Sequence, residues 1–239
     1  MFGRIVSTAL LAGVMAGVVV WGAHMVKTTP LILAAEVYET APAAHSHADT
    51  QAHAHPAPAQ AQDQPAPPEA QEWAPADGIE RNLFTLLADV VTGVGFAFLL
   101  VGAMALSGRR VDARRGVVWG LAGFATVYLA PAFGLAPELP GMQAAGLDAR
   151  QAWWLLTALA TAAGLGLIAF LPARAWKAAG LGLILLPHLI GAPRHALQPG
   201  AVPAELAAEF AVATLVIGGL FWVVLGGLAG YFYRRFERT

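Results

Sequence analysis

Residues 83–106 read LFTLLADVVTGVGFAFLLVGAMAL, and Asp89 is the only charged residue among them. About 20 apolar residues coiled as a helix cross the roughly 30 Å hydrocarbon core of a bilayer. Inside that core only a helix or a closed barrel satisfies every backbone N–H and C=O. Comparable runs fall at roughly 5–26, 116–136, 152–171, 176–191 and 208–233; the run 176–191 is short and lies between Pro172 and Pro193. Only 12% of the chain is charged, against about 25% in soluble domains. The expected fold is therefore all-α: a polytopic membrane bundle of about six transmembrane helices, with the lipid bilayer as its first partner.

The pattern divides the chain into three parts. Residues 1–26 form a first transmembrane helix. Residues 27–82, rich in Ala, Pro and Gln, bury too little apolar area to offset chain entropy and are expected to form a disordered loop. Residues 83–239 supply about five further transmembrane helices. A signal peptide fits the first run less well, because it is long for an h-region and no clear A-x-A site follows.

Positive charge sets the orientation. With the N-terminus inside, Arg4, Arg109, Arg110, Arg114, Arg115, Arg174, Lys177, Arg234, Arg235 and Arg238 face the cytoplasm, and only Lys27, Arg81, Arg150 and Arg194 face out. That asymmetry favours two cytoplasmic termini and an even number of spans. The formal net charge of −1 gives no basic field, so nucleic acid is not an expected partner. The chain has no cysteine, which excludes disulfides and thiolate metal sites. Neither a phosphate-binding GxxxxGK[ST] nor an HExxH motif is present, so we read the chain as no enzyme.

The polar residues that remain are of a particular kind. Residues 45–56, HSHADTQAHAHP, hold four of the seven histidines. Neutral imidazole binds borderline divalent cations. In extended chain, His45 and His47, like His53 and His55, point the same way and can present two nitrogens to one ion. A plain linker would do as well with Ala, Pro and Gln alone, so these four are candidate metal ligands. Ionisable groups within or beside the spans are candidates too, since a charge at mid-membrane costs about 3 kcal/mol. These are His24, Asp89, His188 and Glu209, all expected in the outer half. In AEVYE, Glu36 and Glu39 stand about one turn apart and can share a cation; interfacial acids beside a belt tyrosine are the plainer reading. Gly13/Gly17, Gly116/Gly120 and Gly226/Gly230 are GxxxG pairs that permit close helix approach, a weak signal in so glycine-rich a chain.

Several blocks give the text a family likeness: AAEVYE at 34–39, WAPADGIERNLFT at 73–85, WGLAGFATVYLAPAFGLAPELPG at 119–141, RQAWW at 150–154 and LLPHLIGAP at 185–193. The chain resembles the CbtA family of predicted cobalt transporter subunits across nearly its whole length. The resemblance implies a bacterial inner-membrane protein linked to cobalt supply for cobalamin synthesis. It also implies a CbtB-type partner, a small single-span subunit with histidines of its own. Members of the family similarly carry a His-bearing segment before the second span, matched here by His45, His47, His53 and His55. They are usually described with five spans, one fewer than counted here.

The expected function is import of a divalent cation, captured on the outer loop and passed to the outer-half polar residues. Co²⁺ is the expected cargo, nickel and zinc stay open, and no permanently bound cofactor is expected. A metal-binding accessory that serves a separate permease is the alternative. A haem carrier with His24 and His188 as axial ligands is a more distant one, and homo-oligomerisation is left open.

Overall fold

The computed structural model describes residues 1–39, 75–194 and 200–237. Among them there are helices and connecting turns and no strand. The first rod is continuous: α1 (Phe2–Ala23), a five-residue π turn (His24–Thr28), and α2 (Thr29–Glu39). The second is α3 (Ile79–Leu106). The third joins α4 (Ala113–Phe124), a second π turn (Ala125–Leu129) and the short α5 (Ala130–Ala132). Then come α6 (Leu147–Phe170), α7 (Arg174–Ile190) and α8 (Ala204–Arg235). Four rods are long and apolar enough to cross a membrane: Phe2–Tyr38, Ile79–Leu106, Leu147–Phe170 and Ala204–Arg235. The short run expected at 176–191 is α7, whose 17 residues extend about 26 Å, just under a bilayer core.

The ends of the rods follow local chemistry. Asp112 caps α4, its carboxylate accepting the Arg115 backbone N–H at 2.9 Å, which satisfies one of the donors a helix start leaves free. Leu171 stops α6 in extended conformation, as expected of a residue before proline. Gly78 begins α3 and Gly191 ends α7, both at φ 91°, where a side chain would be strained.

Both π turns lie just before a proline, Pro30 or Pro131. Proline lacks the N–H for the i→i−4 bond, and its ring pushes on the carbonyl four residues back. One wider turn absorbs the conflict. Thr29 N–H bonds to His24 O and Ala130 N–H to Ala125 O, each five residues apart. Sequence reasoning ended the first helix at residue 26 and began the disordered loop at 27. The structure corrects this: helix persists to Glu39. Once the π turn has accommodated Pro30, Thr28, Leu31 and Ala35 form a buried stripe at helical spacing that holds α2 to the bundle.

Small residues set the packing. With lipid on the outside, helices gain little hydrophobic energy by associating, so close van der Waals contact decides which faces meet. In α1 the buried face is Thr8, Ala9, Ala12, Gly13, Ala16, Gly17 and Val20. It meets α3 so closely that a Cβ on Gly13 would sit 2.5 Å from Val94 Cα. Gly116 and Gly120 of α4 meet Gly226 and Gly230 of α8 backbone to backbone, and Gly164 of α6 meets Gly180 of α7 the same way. All three GxxxG pairs read from the sequence thus lie at helix crossings. Between α1, α3 and α8, Val101, Met104, Leu225, Phe221 and Trp222 fill the core.

Alternating rods create two ends. At the terminal end Arg4 donates to the Tyr233 hydroxyl at 2.6 Å and lies 3.6 Å from Glu237. Both chain termini therefore share one end, as an even number of crossings requires. The opposite end is the loop end, where Glu39 closes the first rod and Ile79 opens the second.

Candidate functional site

The sequence candidates that the structure describes gather at the loop end. Asp89 lies ten residues into α3, about 15 Å below its start. His24 is the first residue of the π turn. Their side chains meet, Nδ1 of His24 standing 3.1 Å from Oδ2 of Asp89. Asp89 is 16% exposed and His24 30%, so the pair is sheltered but open on one side. A carboxylate on one ring nitrogen fixes the imidazole's orientation and leaves the other, Nε2, to act as a ligand. This is how carboxylate and histidine divide the work at many metal sites.

The pair is held where α1 and α3 cross. Gly17 lets α1 approach the α3 backbone at Asp89 and Val90. Trp21 Nε1 donates to Asn82 O at 3.2 Å, joining the same two helices nearer the mouth. Tyr128 comes from the second π turn. Tyr128 stacks on Phe124 and packs on Gly218 of α8. Sequence reasoning had passed over Tyr128; the signal available was VYLAP, a tyrosine three residues ahead of a mid-helix proline.

Glu36 and Glu209 already have cations. Glu36 takes both Nη groups of Arg81, which also reaches Asp77 at 3.0 Å. Lys27 donates to Glu209 at 2.5 Å. With 53% and 49% of its side chains exposed, the Lys27–Glu209 pair is worth at most about 1 kcal/mol and can open at little cost. Glu39 ends α2. His45, His47, His53 and His55 lie outside the described residues.

His188 stands apart. It packs edge-on against Trp153 and Phe133, ring centroids 5.8 and 6.2 Å away, one residue beyond the in-helix Pro187, whose carbonyl accepts the Trp153 indole N–H at 3.3 Å. The structure thus brings His24 to Asp89 but seats His188 in an aromatic niche between α6 and α7. The two spanning histidines, considered as a haem pair, occupy separate places. Among the described residues, no three His, Cys, Asp or Glu side chains form a group able to hold a metal ion.

A bundle of apolar helices packed through glycine, with one sheltered imidazole–carboxylate pair near its loop end, defines a polytopic α-helical membrane protein. The match to a family model is more specific: "Probable cobalt transporter subunit (CbtA)" covers residues 2–234, and the chain belongs to that family. No curated protein and no solved structure matches it.

Proposed function

We propose that this chain is the membrane subunit through which a divalent cation, Co²⁺ in the first instance, enters the cell. The segment bearing His45, His47, His53 and His55 captures the ion on the outer side. The His24–Asp89 pair then receives it, His24 Nε2 acting as ligand and Asp89 holding the ring. The 3.1 Å contact between two ionisable groups from different helices, sheltered well below the start of α3, carries this reading. Such groups cost about 3 kcal/mol at membrane depth, which makes them functional candidates. A single protein ligand completed by water suits an ion that must also leave. Glu209 lies at the mouth, where its exposed and readily opened pair with Lys27 can give way to an arriving cation; Glu36 and Glu39 remain proposed ligands from the sequence alone. His188 belongs to the packing of α7. The family description as a subunit supports a partner, which we take to be a CbtB-type single-span protein, in a bacterial inner membrane with both termini cytoplasmic.

A tethered ligand raises local ion concentration without forming a fixed site. Replacing His45, His47, His53 and His55 with Ala should therefore raise the metal concentration for half-maximal uptake and leave the maximal rate nearly unchanged. Because protons compete for imidazole, with an ordinary pKa of about 6.5, the wild-type advantage should fade as the outside pH drops below about 6. Radioactive cobalt uptake by cells expressing each protein measures both. Equal uptake at limiting cobalt and neutral pH would reduce the segment to a linker. An accessory that only delivers ions would instead lose its whole effect with the histidines.

A further inference from the structure

Five arginines crowd the terminal end where α4 begins and α8 finishes. A groove of about 590 Å³ is lined there by Arg114, Arg234, Arg235, Tyr231 and Asp112. A smaller one of about 340 Å³ beside it adds Arg110 and Arg115. Two carboxylates stand among them, and both are engaged. Asp112 accepts the Arg115 backbone N–H, a bond that holds its carboxyl below the usual carboxylate range, and lies 3.8 Å from Arg234. Glu237 lies 3.6 Å from Arg4. Among the described residues, the side chains of Arg114 and Arg235 have no such counter-charge. The site is thus strongly cationic, with two free guanidinium groups facing one groove.

The surroundings identify what would neutralise it. Arg114 sits one turn from Val118 and two from Leu121 on α4, and these are 66% and 47% exposed. On α8, Tyr231 is 51% exposed at the level where aromatic belts meet headgroups. Cationic groups at the mouth and an apolar, open helix face below them match a molecule with an anionic head and hydrocarbon tails. A soluble anion would use only the mouth. We infer that this groove is a binding site for an anionic phospholipid, whose phosphate is held by Arg114 and Arg235 and whose acyl chains lie along Val118 and Leu121. The bound lipid then bridges α4 and α8 where their glycines cross, independently of the ion site at the other end.

Native mass spectrometry of the purified full chain, offered phosphatidylglycerol or phosphatidylcholine, tests this. The wild type should retain one phosphatidylglycerol in preference to phosphatidylcholine, and millimolar inorganic phosphate should not displace it. Arg114→Gln combined with Arg235→Gln should weaken retention about thirtyfold. Arg174→Gln with Lys177→Gln removes the same charge from the start of α7 and should leave retention unchanged. If the double variant proves unstable by circular dichroism, Arg235→Gln alone, on an exposed last turn, should weaken retention about fivefold. Equal loss in the α7 control would reduce the effect to diffuse surface charge. Displacement by phosphate would make it a free-anion site, and unchanged retention in the Arg114/Arg235 variants would remove the site altogether.

Discussion

Asp89 is the residue on which the account turns. A lone carboxylate in 24 residues of apolar helix announced itself in the sequence, and so did His24. What the sequence could not show is that they touch, because they stand on different rods 65 positions apart, and His24 opens a π turn. That turn has a legible cause. Pro30 removes one backbone bond and crowds the preceding turn, and the widened turn begins at His24. In a regular helix the residues on either side of the π turn would be rotated relative to each other by about 100°, which would shift His24 with respect to α2 and its anchor at Arg81. Pro30→Ala should therefore leave the protein folded, with helix content and membrane level near wild type, yet lower cobalt uptake severalfold. Uptake equal to wild type would show that the turn has no part in placing His24.

At the scale of elements, glycine decides which helices are neighbours. The spacing was visible in the sequence at Gly13/Gly17, Gly116/Gly120 and Gly226/Gly230, but not the partners. Gly93 and the Gly164–Gly180 contact carry no motif that separates them from the chain's many other glycines. Hydropathy also placed six helical rods, yet it misplaced the end of the first, because Leu31 and Ala35 are too few to register as a span. The glycine contacts give a matched pair of mutants. A methyl on Gly116 would enter the Gly226 carbonyl, whereas Gly95 has open space around it. Gly116→Ala should cost about 1–3 kcal/mol through forced separation of α4 and α8. Gly95→Ala should be neutral or stabilising by up to about 1 kcal/mol from helix propensity. Thermal unfolding in detergent distinguishes them, and equal melting temperatures would contradict the close crossing.

Taken whole, the molecule has two chemically different ends. An arginine cluster and both termini occupy one, while His24, Asp89 and the Lys27–Glu209 and Arg81–Glu36 pairs occupy the other. The proposed orientation, which rests on the positive-inside asymmetry, puts the first end in the cytoplasm. Because the chain lacks cysteine, single cysteines at Ala48 and Ala113 can be labelled without background, and they should react from opposite sides of the membrane, Ala48 from outside. Labelling of both from one side would overturn the six-crossing arrangement. The central claim, that the ion passes through the His24–Asp89 pair, is tested most directly by cobalt uptake at saturating metal in cells with matched protein levels. We expect His24→Ala and Asp89→Asn each to lower the maximal rate about tenfold or more, while His188→Phe, which preserves the aromatic niche, transports like wild type. Full maximal rates in both His24→Ala and Asp89→Asn would contradict the account.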